Sequence, residues 1–192
     1  DGYNVVMGYA AGGGVTTGTN NTFVGGLAGD ATDDGANNTA IGKSALSANC
    51  GDSNTAIGAG ALAVTTAANN TAVGKDAGVA VTTGGTNTLI GGLAGNALTE
   101  GAANTFIGYS VGTYGVDHTT GDSNTIVGAY CDTTTASTAG AMGLGYNIDC
   151  AGGYTTLGSG GDDIRAAHGN VTWATVSDER YKKDITDSTA GL

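Results

Sequence analysis

Asn38-Thr39-Ala40-Ile41-Gly42 returns as Asn54-Thr55-Ala56-Ile57-Gly58 and again as Asn70-Thr71-Ala72-Val73-Gly74. The same phrase, Asn-Thr-x-aliphatic-Gly, can be followed along almost the whole chain, and its last glycine marks each copy. The markers lie 17, 17, 16, 16, 17, 17, 20, 15 and 15 residues apart: Gly8, Gly25, Gly42, Gly58, Gly74, Gly91, Gly108, Gly128, Gly143 and Gly158. A unit this short cannot enclose a core of its own, so neighbouring units must stack and share one. We predict an all-β fold, a parallel β-solenoid or β-roll of about ten coils of 15–20 residues over residues 1–160.

The composition excludes a bulky globular core and several classes of function. Of 192 residues, 37 are glycine and none is proline, and only 6% are aromatic. The strict period and the aliphatic residue before each glycine argue against the disorder that such a composition usually indicates. Six Lys+Arg against 17 Asp+Glu give a net charge of -11, which opposes nucleic-acid and anionic-membrane partners. No apolar run reaches the ~18 residues of a membrane span, and we expect no membrane insertion and no cofactor.

Within each phrase, Asn and Gly favour turns and the residues between them favour extended structure. Side chains alternate along a strand, so Thr39 and Ile41 should face one way and Ala40 the other. The Ile41 position and the Ala40 position, which face opposite ways, are both apolar along the array. The strand of a free-standing solenoid should instead have one apolar face and one solvent-exposed polar face. We therefore expect a second chain to cover the outer face, and we predict an oligomer.

Two further expectations follow from this assignment. The small-residue phrase after each glycine, such as residues 25–29, is predicted to be the return strand of the coil, with its Ala in a narrow interior. Asn is read as a turn residue, so replacing Ile57 with Asp should be far worse than replacing Asn54 with Asp.

The repeat resembles the head repeats of trimeric autotransporter adhesins and the similar arrays of bacteriophage tail fibres. The resemblance covers about residues 4–158. It implies a left-handed parallel β-roll in which three chains pack around a threefold axis, and hence a homotrimer. Such arrays serve mainly as spacers and platforms, so the resemblance names no ligand.

The period ends after Gly158, and residues 161–176 are predicted to form a connecting strand that includes the single tryptophan, Trp173. Residues 177–192 then begin Ser-Asp-Glu-Arg-Tyr-Lys-Lys-Asp-Ile. This resembles the opening of the intramolecular chaperone domain of endosialidase tailspikes, here truncated. The resemblance implies self-cleavage between Ser177 and Asp178, with Ser177 as nucleophile and Lys182 as base, a single-turnover event rather than an enzyme activity. A charged helix start with Ser177 as N-cap is the alternative.

The interval from Gly108 to Gly128 is three residues longer than its neighbours. Insertions in solenoids decorate one face and leave the stacked core alone. We therefore predict an outward loop containing Tyr114, Val116, Asp117 and His118. Tyr114, Asp117 and His118 are the candidate ligand-binding residues, because tyrosine and histidine offer stacking and hydrogen bonds that glycine and alanine lack.

Other signals are weaker. His118 and His168 lack partner ligands nearby in sequence, and the aspartates do not recur at calcium-binding spacing, so no metal site is predicted. Cys50 and Cys150 stand six coils apart, too far for a disulfide within one chain, and Cys131 takes a small apolar slot. No Ser-His-Asp, Cys-His or paired-carboxylate arrangement stands out in the array.

The function predicted from these features is a structural or receptor-binding segment of a phage tail fibre. Its partners would be two further copies of the chain, other virion tail proteins and a host cell-surface glycan or protein. It would be assembled in the host cytoplasm and located in the virion. The first alternative is a bacterial surface adhesin head. The second is an ice-binding solenoid, which is disfavoured because the Thr runs, such as Thr65-Thr66 and Thr82-Thr83, sit at irregular places.

Overall fold

The computed structural model describes residues 2–169 and 174–175, and within them the chain consists of short strands and turns with no helix. The fold is a parallel β-solenoid of about nine turns, which confirms the predicted fold class at that level. The main sheet contains ten strands stacked in parallel, one per coil. They are β1 Val5–Met7, β2 Thr22–Val24, β3 Thr39–Ile41, β4 Thr55–Ile57, β5 Thr71–Val73, β6 Thr88–Ile90, β7 Thr105–Ile107, β8 Thr125–Ala129, β10 Met142–Tyr146 and β12 Tyr154–Ser159.

Equivalent residues of successive repeats lie directly above one another. Thr39 pairs with Thr55, Ala40 with Ala56 and Ile41 with Ile57. Two short strands, β9 Asp132–Thr133 and β11 Asp149–Cys150, form a second parallel pair near the carboxy-terminal end. The period of the sequence therefore becomes the stacking register of the coils.

The stack ends differently from the prediction. Strand β13 Asp162–Ala167 turns back antiparallel to β12, and β14 Ala174–Thr175 pairs antiparallel with β13. Residues 161–176 thus include two strands rather than one connecting strand. Residues 177–192 lie outside the described residues.

The late repeats also follow a different register from the one read from the sequence. Gly145, not Gly143, pairs with the marker glycines Gly128 and Gly158. Gly143 instead takes the inward slot, where a side chain would collide with the sulfur of Cys150. The last coils therefore close with the Cys150 side chain filling the space that a core residue fills elsewhere.

The core is one column of inward side chains, and large and small residues alternate between two of its slots. The second residue of each strand from β2 to β8 is fully buried: Phe23, Ala40, Ala56, Ala72, Leu89, Phe106 and Ile126. Where this slot holds Phe23, the slot four residues after the marker is Gly29, whose added Cβ would lie 2.6 Å from the Phe23 ring. Where it holds Ala40 or Ala56, the second slot is a buried leucine. In these coils the two slots together keep about the same volume, as close packing requires. The coil with Ala72 is the exception: its second slot is Gly78, and the buried side chains of Leu62, Val81 and Leu89 occupy the space beside it.

A ladder of buried asparagines runs the length of the array beside this core. Asn54 Oδ1 accepts from the backbone N–H of Asn70 at 2.9 Å, and Asn38 Oδ1 accepts from that of Asn54 at 2.8 Å. The same contact links the ladder residues from Asn4 to Asn124, and those from Asn21 onward are buried: Asn21, Asn38, Asn54, Asn70, Asn87, Asn104 and Asn124. The prediction that this Asn is merely a turn residue was wrong. The reason for expecting Asn54→Asp to be milder than Ile57→Asp was wrong with it, since Asn54 is fully buried and Ile57 is partly exposed in the single chain. The left-handed turn conformation falls on the residue before it, such as Asn69 at φ 63°.

The small-residue phrase after each marker is a turn and not a return strand. Its Ala slot is buried, as predicted, at Ala28, Ala45, Ala61, Ala77 and Ala94, and Cys131 takes the same slot. The marker glycine itself is required: Gly25 has φ +136°, and an added Cβ would lie 2.6 Å from the carbonyl oxygen of Gly42. Coils can approach this closely only where neither carries a side chain.

Candidate functional site

The outer face of the main sheet presents two straight rows of side chains, which we call the outer strip. The first residues of the strands form a mostly threonine row, and the third residues form an aliphatic row; β12, which begins one residue earlier, joins the two rows at Thr155 and Leu157. The aliphatic row comprises Met7, Val24, Ile41, Ile57, Val73, Ile90, Ile107, Val127, Leu144 and Leu157. No residue in either row is charged.

The aliphatic row remains accessible in the single chain. The exposed fractions are 40% for Ile41, 38% for Ile57 and 37% for Ile90, whereas the inward residues between the rows are fully buried in strands β2 to β8. Ten strands at about 4.8 Å spacing extend the strip over roughly 43 Å, and its area is on the order of 400 Å². An uncharged patch of this size, with a continuous aliphatic row, is a candidate interaction surface.

The threonine row changes one conclusion drawn from the sequence. Seven threonines follow one another in register over seven successive strands: Thr22, Thr39, Thr55, Thr71, Thr88, Thr105 and Thr125. Within the described residues, none of their hydroxyl groups bonds another group of the chain. The threonines are therefore regularly spaced, and the irregular Thr runs of the loops were the wrong residues on which to disfavour ice binding.

A second surface feature lies near the longest coil, and we call it the tyrosine cluster: Tyr109, Tyr114, Tyr130 and Tyr146. Tyr130 is at its centre, with ring centroids 5.5 Å from Tyr109, 4.8 Å from Tyr114 and 5.8 Å from Tyr146. All three contacts are edge-to-face, which is a favoured aromatic geometry. The rings come from three neighbouring coils.

Buried Asp132 holds the loop that carries Tyr114. One carboxylate oxygen of Asp132 accepts from the backbone N–H groups of Gly115 at 2.5 Å and Val116 at 2.6 Å. The other accepts from the N–H of Thr133 at 2.8 Å. This buried carboxylate is paired with backbone donors as such groups must be. The loop is therefore fixed in place by the next coil.

The three candidate ligand-binding residues do not stay together. Tyr114 and Asp117 lie on the outside of the loop, but His118 is fully buried, so its assignment to the exposed loop was wrong. The Phe106 ring packs edge-on against His118 at a centroid distance of 5.4 Å. His118 Nε2 lies 3.0 Å from the carbonyl oxygen of Gly121, and Nδ1 lies 3.0 Å from Thr133 Oγ1. Burial lowers the pKa of His118, so the neutral ring belongs to the core.

Sequence reasoning found Tyr114 but missed the other three tyrosines. A signal was present: Tyr109 follows the marker Gly108 and Tyr146 follows Gly145, the same slot in two coils. With Gly143 as the marker, Tyr146 falls in a different slot, and the correspondence with Tyr109 is lost.

The thiols offer no reactive group. Cys50, Cys131 and Cys150 are all free and buried. Burial raises the pKa of all three, that of Cys150 to about 12. A thiol held in its neutral form is a weak nucleophile and a poor metal ligand.

Metal sites, membrane-spanning helices and the cleavage residues can be considered in turn for the part of the chain that the structure describes. In residues 2–169, no three His, Cys, Asp or Glu side chains come together as a potential metal site. The same part of the chain has no helix with the length and apolarity needed to cross a membrane. Ser177, Asp178 and Lys182, the candidate cleavage residues, lie outside the described residues.

Comparison of the chain with models of protein families, with curated proteins and with solved structures gave no match.

Proposed function

We propose that the chain is a structural and receptor-binding segment of a trimeric phage tail fibre, in which three solenoids pack side by side along their outer strips. The observation that carries the proposal is the aliphatic row, which is in register over ten strands and uncovered in the single chain. The straight, uncharged strip fits a copy of itself, since identical coils repeat at the same spacing in each chain. The resemblance of the repeat to fibre and adhesin arrays adds to this support.

Oligomeric state tests the proposal directly. Light scattering coupled to size exclusion should give three times the chain mass at micromolar concentration. Ile57→Asp puts a charge in the middle of the strip, where it is partly solvated in one chain and buried between chains, so this variant should fold but fail to assemble. Val64→Asp is the matched control, because Val64 is 45% exposed and lies outside the strip. A folded wild-type monomer at micromolar concentration would rule out the trimer.

The location in a virion and the binding of tail proteins belong to the same proposal. Mass spectrometry of purified particles should find peptides of this chain, and labelled antibodies should place them on the tail. Detection on the surface of uninfected cells instead would favour the bacterial adhesin alternative.

Self-cleavage at Ser177–Asp178 is the part of the proposal that rests on the carboxy-terminal signature alone. A longer protein should be cut once, leaving Ser177 as a new carboxy terminus and Asp178 as a new amino terminus. Ser177→Ala and Lys182→Ala should each block the cut while folding and assembly persist. Intact peptides spanning residues 176–179 at full abundance would show that no cut occurs.

The threonine row supports a second candidate, ice binding. A rank of hydroxyl and methyl groups at about 4.8 Å spacing forms a regular, flat array of alternating polar and apolar atoms. This function needs the outer strip free, whereas the trimer covers it, so the two candidates exclude each other on the same face. A monomer that shows thermal hysteresis, lost in Thr71→Lys and kept in the loop variant Thr66→Lys, would decide for ice binding.

A further inference from the structure

The tyrosine cluster is not explained by the fold. Tyr109, Tyr114 and Tyr146 are 49%, 60% and 54% exposed, and the core of these coils is complete without them. Both phenylalanines of the chain, by contrast, are fully buried. Half of the eight tyrosines are thus gathered in three adjacent coils.

The cluster is also held in a fixed shape. Tyr130 contacts all three other rings, of which Tyr109 and Tyr114 belong to one neighbouring coil and Tyr146 to the other. The loop under Tyr114 is fastened by the Asp132 carboxylate, and Ser110 Oγ lies 3.1 Å from Thr113 Oγ1 at the loop's start. Little conformational entropy is therefore lost when a ligand binds.

The charges around the cluster indicate the ligand. Asp117 is exposed on the loop, and Asp132 lies beneath it. Lys75, two coils away from Tyr109, is paired with Asp76 at 2.6 Å. An anionic ligand would meet a chain of net charge -11 with no free cation in the loop.

We infer that the tyrosine cluster is a binding platform for a neutral carbohydrate, with Tyr109, Tyr114 and Tyr146 as stacking rings and Asp117 as a hydrogen-bond acceptor. Sugar rings present apolar C–H faces that pack on aromatic rings and hydroxyl groups that donate to carboxylate and phenol oxygens. Tyrosine supplies both kinds of contact at low entropic cost. This inference rests on the proposed function in one respect: the glycan would come from a host cell surface, and the receptor would be a neutral carbohydrate.

Affinity electrophoresis of the assembled protein tests the inference, in gels cast with mannan, galactomannan or dextran, and with heparin or polysialic acid for comparison. Retardation is expected in at least one neutral gel and in neither acidic gel. In the retarding gel, Tyr114→Ala and Tyr146→Ala should each weaken binding about tenfold or more, the effect of losing one well-packed aromatic contact. Tyr114→Phe should stay within about threefold of wild type, because it keeps the ring.

Tyr9→Ala is the matched control. Like Tyr109 and Tyr146, Tyr9 directly follows the marker glycine of its coil, and it is 83% exposed. It should bind like wild type. Absence of retardation in every neutral gel would overturn the inference, as would binding only to the acidic polymers or equal binding by the Tyr114→Ala and wild-type proteins.

Light scattering of the same variants keeps this result separate from the trimer proposal. The Tyr114→Ala and Tyr146→Ala proteins should keep the wild-type oligomeric state, whatever that state is. Loss of assembly in these variants would show that the cluster is a contact between subunits and would overturn the inference. A monomeric wild type that still binds the neutral polymer through Tyr114 would contradict the trimer and support the carbohydrate platform.

Discussion

Replacing Asn70 with Asp removes one link of the asparagine ladder while keeping the size and shape of the side chain. In the fold, Asn70 is fully buried, its Oδ1 accepts from the backbone N–H of Asn87 at 2.9 Å, and its Nδ2 donates to the carbonyl oxygen of Gly84 at 3.0 Å. In the variant, a second carboxylate oxygen replaces the donor and faces that carbonyl oxygen. A lost donor that leaves a buried carbonyl unpaired costs about 1–3 kcal/mol. The unpaired buried charge raises the total to about 3–5 kcal/mol.

Thermal unfolding followed by circular dichroism measures this effect. For a chain of this size, 1 kcal/mol lowers Tm by about 2–4 °C, so we expect Asn70→Asp to lower it by roughly 6–20 °C. Asn69→Asp is the matched control, because Asn69 is adjacent, exposed and in the left-handed conformation that Asp also tolerates. That change should stay within about 0.5 kcal/mol.

The stability lost in Asn70→Asp should also depend on pH, and the structure gives the direction. Burial and the facing carbonyl oxygen would raise the pKa of the introduced carboxyl group. The protonated form is tolerated better, so the difference between Asn70→Asp and Asn69→Asp should be smallest near pH 4 and grow as pH rises toward 7. Equal unfolding temperatures for the two variants at pH 7 would refute the structural role of the ladder.

Three further predictions concern the glycines, the thiols and the buried histidine. Gly25→Ala should lower the free energy of unfolding by about 3 kcal/mol or more, because Gly25 has φ +136° and an added Cβ would collide with the Gly42 carbonyl oxygen. Gly26→Ala should be near neutral, because a Cβ there would lie 4.0 Å from the Tyr9 carbonyl oxygen, and similar urea midpoints for the two variants would contradict this. The three buried thiols should stay unlabelled by a disulfide reagent in the native protein at pH 8, and fast labelling would contradict this. The free energy of unfolding should fall as pH rises from about 9 toward the Cys150 pKa of about 12, because the unfolded chain loses thiol protons that the folded chain retains. The lowered pKa of His118 means that stability is full above about pH 6.5 and falls at lower pH as the unfolded chain takes up a proton. His118→Gln should flatten the change in urea midpoint between pH 7 and 5, and a change as steep as that of wild type would contradict this.

Much of the fold could be predicted because the repeat imposes it. Residues that recur every 16 or 17 positions must stack, so the strand phrase, the marker glycine and the buried Ala slot followed from counting. The position of the long loop followed in the same way, since an insertion cannot enter a stacked core. The compensation between Phe23 and Gly29 is also visible in the sequence, once the two slots are known to face each other.

The roles of Asn54, His118 and Tyr130 could not be predicted, because each depends on the neighbouring coil. An asparagine suits a tight turn and a buried ladder equally well, and only the stacking of coils brings its Oδ1 to the next backbone N–H. His118 looks like a loop residue in sequence, yet the packed Phe106 ring and the next coil's Thr133 enclose it. Tyr130 meets Tyr109, Tyr114 and Tyr146 because coils of unequal length are brought into register.

The sequence by itself determined that this protein is a parallel β-solenoid, since a short, strict period leaves no other way to bury its aliphatic residues. The tertiary structure alone decided which polar groups are internal and which tyrosines form one surface. The physical reason is that periodicity specifies contacts within the repeating unit, whereas these features arise from hydrogen bonds and packing between units.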